Sequence, residues 1–269
     1  TYIDGEWMRA KGTTLGADDG IGVAMQMAIL KSDNIEHGPI QCVFTRDEET
    51  GLTGAVGMKS GFMEGDYLIN LDSEDEGQIY VSCAGGVRTT ATYPFPTEAA
   101  PADYATFRIN VKGLSGGHSG DDINKKRGNA NKILVRFLVN EMDSIGLRLV
   151  DIQSGGLHNA IPREGHAVCM VANNKVSEFK AHLEAFGKDV AEELAVTEQG
   201  ISITMEEAEA ATQVMQTEAM RKMLLSLHAV HNGVFAMSQD IDWLVETSSN
   251  LASIHCEGDH VTVTTSQRS

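Results

Sequence analysis

The chain has no apolar run approaching the ~20 residues a membrane-crossing helix needs, and no signal-peptide pattern at its start. Basic residues are scarce: 21 Lys and Arg stand against 38 Asp and Glu, a formal charge of −17 over 269 residues. A nucleic-acid binder needs basic patches, so neither a nucleic-acid nor a membrane partner is expected. Only four cysteines occur, Cys42, Cys83, Cys169 and Cys256. They are far apart and make no CxxC pair, which excludes a disulfide framework and a zinc–thiolate site. Each falls in an expected strand, or at a strand end for Cys83, so all four are expected to be small buried hydrophobes in a reducing compartment. No HExxH, nucleophile elbow or Walker motif is present. Both ends read as cut, because Thr1 is not Met and Ser269 directly follows a strand-like run. The chain is therefore expected to be an internal segment of something longer.

What is present is carboxylate at the ends of expected strands. Residues 40–44, Ile-Gln-Cys-Val-Phe, are short, apolar and β-prone. They lead into Asp47, Glu48 and Glu49. Adjacent side chains on extended backbone point to opposite sides, so one of Glu48 and Glu49 can bind a metal while the other handles a proton. Taken alone, the triplet reads as a solvated acidic turn. Two further stretches change that balance. Residues 66–71 form a second apolar run that ends in Asp72. Asp72 to Gly77 loosely resembles a calcium loop, but Cys83 stands where the ligand Glu is required. Residues 74–76 then read as a solvated turn, with Asp72 as the ligand candidate.

Asp18 and Asp19 precede a helical pattern over residues 23–30, beside Gly20 and Gly22. A phosphate loop is a poor reading, since Lys is missing and two Asp repel phosphate. Helix capping explains one of the two, not both. Strand ends carrying Asp18, Glu48/Glu49 and Asp72, alternating with helices, imply a parallel α/β sheet with carboxylates along one edge. A divalent cation is the economical way to hold such charges together.

Composition shifts after Gly85-Gly86, and a Pro/Ala-rich piece follows over residues 93–101. A boundary is expected there, giving domains 1–86 and 87–269. The second reads as strand 104–111, helix 129–145, strands 147–152 and 165–172, helix 176–194 and strand 201–206. That βαββαβ order is ferredoxin-like. A helix over 218–229 and a hairpin of 250–256 with 260–265 follow. Two Gly-rich loops carry histidines: residues 113–120 with His118, and residues 155–162 with His158. Glycine neighbours let backbone approach a ligand and the His118 imidazole project. His158, His228, His231, His255 and His260 read as structural or solvated.

Five stretches taken together, TTLGADDGIG, FTRDEETGLTGA, LINLDSEDEG, GLSGGHSG and GLHNAIPRE, resemble the M20 family of di-zinc metallopeptidases, nearest within it to the aminoacyl-histidine (Xaa-His) dipeptidases. The resemblance spans essentially the whole chain. It implies a partial parallel-sheet catalytic domain, followed by a ferredoxin-like α+β lid that is incomplete at its C-terminal side. It implies hydrolysis of a small dipeptide such as beta-alanyl-histidine by a water activated on two Zn2+, with Co2+ or Mn2+ as substitutes. By resemblance Asp18 bridges the metals, Glu49 and Asp72 bind one each, and Glu48 is the general base. His118 polarises the scissile carbonyl, while Asn159 and Arg268 contact the substrate's carboxylate end or backbone. A cis peptide after Asp18, a homodimer and a cytoplasmic location also follow from it. The family's upstream HxD motif and its C-terminal His have no counterpart here, which implies that the segment alone is inactive. A non-catalytic lid or dimerisation module, or another M20 exopeptidase or deacylase, remain as alternatives.

Overall fold

The computed structural model describes residues 1–49, 51–73 and 76–269. The chain forms two compact units, Thr1–Val81 and Ser82–Ser269. Each is described by itself.

The first unit opens on a small antiparallel hairpin, β1 (Tyr2–Asp4) and β2 (Trp7–Arg9). Arg9 Nε donates to Asp4 Oδ2 at 2.8 Å across it. Helix α1 (Ala17–Lys31) follows, and a short α2 (Thr53–Val56) comes after the glutamate pair. Residues 40–44 and 66–71, expected as parallel strands, enter no backbone ladder among the described residues. A parallel strand needs a neighbour on each side and cover on both faces. Here Phe44 is half exposed, and Leu68 and Ile69 are 70% and 82% exposed. Pleated-surface propensity without such cover leaves the runs unpaired. The segment 41–64 is tied instead by Gln41, which donates to the Phe62 carbonyl and accepts from Glu64 N–H. Among the described residues of this unit only Gly22 is buried.

The second unit holds the hydrophobic core. Its elements are β3 (Gly86–Pro94), β4 (Thr97–Ala99), β5 (Tyr104–Lys112), β6 (Gly117–His118), α3 (Ala130–Ser144), β7 (Arg148–Gly155), β8 (Ala160–Ile161) and β9 (Gly165–Ala172). Then come α4 (Val176–Glu193), β10 (Ser202–Glu207), β11 (Gln213–Met215), α5 (Thr217–Ala229), β12 (Gly233–Met237), β13 (Val245–Glu257) and β14 (His260–Arg268). Strands β10, β5, β9 and β7 lie side by side, all antiparallel. In βαββαβ order that is 4-1-3-2, the ferredoxin-like arrangement expected from the element order. The sheet does not stop at β7. It continues through β13, β14 and β3, and β12 also pairs with β13. Gly86, which the sequence reading put on the first side of the boundary, thus begins a strand of this sheet.

Alternation decides which face is covered. Phe107, Ile109 and Val111 of β5 are buried, as period-2 patterning requires of one face. Phe179 of α4 is fully buried between them and α3, its ring 6.3 Å from Phe107 and 5.6 Å from Phe137. Asn129 caps α3 by accepting from Lys132 N–H. Its amide, with that of Asn131, also donates to the Leu251 carbonyl, pinning the helix start to β13.

The cysteine expectation needs correction. Cys169 in β9 is buried, but Cys42 and Cys256 are only partly so, Cys83 is exposed, and neither Cys42 nor Cys83 is in a strand. For Cys42 the reason is the one that leaves residues 40–44 unpaired, since the first unit has no core to receive it; Cys83 and Cys256 belong to the second unit, Cys83 ahead of its first strand and Cys256 at the end of β13.

If the aromatic cluster organises the second unit, Phe179→Ala costs about 3–5 kcal/mol, the range for removing a large buried aromatic. Denaturant unfolding of the variant measures it, and a loss under about 1 kcal/mol would show that the stability lies elsewhere.

Candidate functional site

The two Gly-rich loops of the second unit are joined by a miniature sheet. Strand β6 pairs with β8 so that His118 lies opposite Ala160, and Ser119 N–H donates to the Asn159 carbonyl at 2.7 Å. Asn250 Nδ2 donates to Ala160 O at 2.8 Å, fastening the loop pair to β13. His118 and Asn159, 41 positions apart, are therefore held together by backbone.

A partly buried carboxylate fixes the loop from the other side. Asp122 Oδ2 accepts from His118 N–H at 2.9 Å and from Arg127 Nη1 at 2.9 Å, while its Oδ1 accepts from Lys125 at 2.6 Å. Arg127 also donates to the Gly116 carbonyl. The hydrogen bond from Lys125, ahead of that from the His118 backbone and the charge of Arg127, holds the Asp122 carboxyl below its ordinary range. Gly117 sits at φ +136°, and a Cβ there would lie 2.0 Å from Arg127 Nη1 and 2.3 Å from Asp122 Oδ2. Only glycine fits, which accounts for the Gly-Gly before His118.

The His118 ring has a partner on each nitrogen: Nδ1 is 2.7 Å from Asp121 Oδ2, and Nε2 is 3.3 Å from Arg268 Nη2. Arg268 arrives from β14, 150 positions away. Its Nε and the Ser119 hydroxyl are both buried without a hydrogen-bond partner among the described residues. A Cβ on Gly120 would lie 3.1 Å from both His118 Cε1 and Arg268 Cζ, so the bare backbone there admits the pair. Arg88 on β3 lies opposite Ser266, two residues from Arg268 on β14, which puts both guanidinium-bearing residues on one sheet face. Burial, and after it the charges of Arg88 and Arg268, push the His158 imidazole below its usual range. Of the three residues expected to meet a substrate, His118 and Arg268 are in side-chain contact, and Asn159 is joined to the His118 loop through its carbonyl. The sequence reading passed over Asp121, Asp122, Arg127 and Arg88. The Asp-Asp pair directly after the Gly-rich loop was the available signal.

In the first unit, Asp19 and Asp18 divide their roles. Asp19 Oδ1 accepts from Gly22 N–H at 2.9 Å, capping the helical part of α1. Both residues have non-helical backbone, and the Asp18–Asp19 peptide is cis. With Asp19 occupied as the cap, Asp18 is left to hydrogen-bond with Asp72. That shared hydrogen bond, followed by desolvation and the charges of Asp18, Asp19 and Glu48, pushes the Asp72 carboxyl up to about 6. Four acidic groups from three separated stretches thus feel one another. Glu48 sits in a turn whose carbonyl accepts from Gly51 and Leu52 N–H, beside Asp47 at φ +56°. Glu49 is not among the groups acting on Asp72, and no set of three His, Cys, Asp or Glu side chains is arranged to hold a metal among the described residues. Thr50, Glu74 and Asp75 of these motifs lie outside the described residues. The Asp18–Asp72 pair is a hard oxygen donor set, and a divalent cation could take the place of the proton it shares.

The peptidase dimerisation domain model M20_dimer matches residues 104–198. The chain carries an M20 peptidase dimerisation domain. Cytosol non-specific dipeptidase of Escherichia coli (strain K12) is 40% identical over 262 residues, 97% of this chain and 54% of that protein. The crystal structure of aminoacylhistidine dipeptidase from Vibrio alginolyticus superposes with a TM-score of 0.82 at 42% identity, covering 100% of this chain and 55% of that one. A stretch of 85 residues is 38% identical to the uncharacterised protein YqjE of Bacillus subtilis (strain 168), 30% of this chain and 23% of that protein. The chain thus spans about half the length of the two dipeptidases it matches. The family resemblance read from the five motifs stands, as does the mixed α/β class. No helix among the described residues is long and apolar enough to cross a membrane.

The Asp72 contact carries a sign. A carboxyl raised from about 3.9 to about 6 on folding contributes stability that is fully present below pH ~3.9 and is lost as pH rises through about 6. Metal-free chain should therefore lose stability across that window, and Asp72→Asn should flatten the loss. Thermal unfolding of both forms from pH 3.5 to 7 checks it; parallel curves would show that Asp18 and Asp72 do not meet.

Proposed function

We propose that this chain is the greater part of the lid and half of the metal site of a metal-dependent dipeptidase, acting on small dipeptides of the Xaa-His kind such as beta-alanyl-histidine. The observation that carries the reading is the match over the full chain to a solved aminoacylhistidine dipeptidase, together with carboxylates meeting at the positions the chemistry demands. In this reading residues 1–86 belong to the catalytic domain and residues 87–269 to the lid.

Asp18, Glu49 and Asp72 would hold two Zn2+, for which Co2+ or Mn2+ could substitute, Asp18 as the shared ligand. When bound, the metals supply Lewis-acid activation that lowers the pKa of a water towards ~7. The chain's own groups do the rest. Glu48 takes the proton of the attacking water and returns it to the leaving amine. With Nδ1–H kept on Asp121, His118 in its imidazolium form donates a hydrogen bond from Nε2 to the carbonyl oxygen as it gains charge, a kind of contribution worth ~3–4 kcal/mol per donor in other hydrolases. Arg268 offers a buried Nε to the dipeptide's carboxylate end, and Asn159 lies on the loop joined to that of His118. Arg88 adds to the positive potential there. A cytoplasmic homodimer fits the name of the Escherichia coli relative and the dimerisation-domain match.

A second reading has a specific observation behind it. The family model covers residues 104–198 alone, which is the part a non-catalytic dimerisation module would need. Zinc content and dipeptide hydrolysis of the full-length protein separate the two.

Two substitutions test the assignment in the full-length protein. Glu48→Ala lowers turnover by ~10²–10⁴-fold while metal stays near two per chain; a variant keeping more than about a tenth of the activity removes Glu48 as the base. His118→Ala lowers kcat by ~10²–10³-fold and leaves zinc affinity unchanged, whereas parallel loss of zinc and activity would make His118 a ligand. Chelation of the metal abolishes hydrolysis and readdition restores it.

A further inference from the structure

The two nitrogens of His118 make opposite demands on the proton. Asp121 Oδ2, 2.7 Å from Nδ1, can only accept, so Nδ1 must carry a hydrogen. Arg268 Nη2, 3.3 Å from Nε2, can only donate, so Nε2 of the neutral ring must present its lone pair. Both contacts select the same tautomer, and an unrestrained histidine favours the other one.

The neighbouring carboxylate is engaged elsewhere. Asp122 holds the His118 backbone N–H, Lys125 and Arg127. Adjacent aspartates thus divide the work, Asp122 gripping the main chain and Asp121 the ring. Between ring and carboxylate, Gly120 has no Cβ, and one placed there would lie 3.1 Å from the His118 ring and from the Arg268 guanidinium. The loop is therefore built so that ring, carboxylate and guanidinium meet.

We propose that Asp121 is the positioning residue of His118, fixing the ring as its Nδ1–H tautomer so that Nε2 is the nitrogen left facing Arg268 and free for chemistry. Asp121 touches no reacting atom; it acts through the ring, as a carboxylate partner orients a metal-bound or catalytic histidine. Its bearing on catalysis rests on the dipeptidase reading; its bearing on the tautomer does not.

Long-range 1H–15N correlation of the full chain labelled at histidine, recorded about two pH units above the ordinary histidine value of ~6.5, reads the tautomer directly, with His118→Gln assigning the signal. Wild type shows Nδ1 protonated. Asp121→Ala moves the ring toward Nε2–H, and Asp121→Asn, whose amide oxygen still accepts, keeps Nδ1–H. The signals of the other histidines report whether each variant is folded. A wild-type ring in the Nε2–H form overturns the proposal whatever the variants do, and so does a folded Asp121→Ala with an unchanged ring. In the full-length enzyme, Asp121→Ala lowers kcat ~10–100-fold with KM within about twofold, and Asp121→Asn recovers most of it. An Asp121→Ala enzyme with wild-type kcat overturns the positioning role. A wild-type enzyme without dipeptidase activity overturns the functional reading instead, and leaves the tautomer result standing.

Discussion

The carbonyl of Leu251 accepts from two buried asparagines, Asn129 and Asn131, and much of the second unit depends on that point. Asn129 is at once the cap of α3 and a bond to β13, so the helix cannot start elsewhere without leaving buried amides unpaired, which costs roughly 1–3 kcal/mol per group. The next residue back, Asn250, reaches β8, and β8 pairs with the strand carrying His118. One turn of backbone on β13 thereby sets the height of a helix, the seat of a loop and the location of an imidazole.

The chemistry around His118 was partly legible in sequence. Glycines around His118 announced a loop in which backbone comes close to something, and the structure shows what that is: the Arg127–Asp122 pair against Gly117, and Arg268 against Gly120. The identity of those neighbours was not legible. Arg268 lies 150 residues from His118, and only the register of β14 brings it back. Spacing rules reach a few residues along a helix or strand; they cannot foresee a pairing made by the last strand of a sheet. Arg88 escaped notice for the same reason.

The ferredoxin-like order was legible because each of its strands is bounded by turn residues and each helix shows a strong apolar stripe, with Phe107, Phe137 and Phe179 meeting inside. The first unit was harder. Apolar, β-prone residues at 40–44 and 66–71 predicted strands, yet strand formation depends on partners that composition cannot supply. The carboxylates still gathered. Asp18 meets Asp72 while Asp19 caps the helix, so the question of why two aspartates stand together at a helix start has a division of labour as its answer. Charge and capping act locally, and such effects survive where a sheet does not form.

The sheet's first and last strands are neighbours: β3 runs along β14, from Gly86 opposite Arg268 to Pro94 opposite His260. During synthesis, residues 86–94 therefore wait for some 170 others before their partner exists. Until then β3 is an unpaired β-prone segment on the emerging chain, a template for wrong pairing. Closure of so long a loop must precede its reward, which makes this edge the slow step of assembly for the unit. It also makes β14, and not the aromatic cluster around Phe179, the part on which yield of correctly folded protein depends.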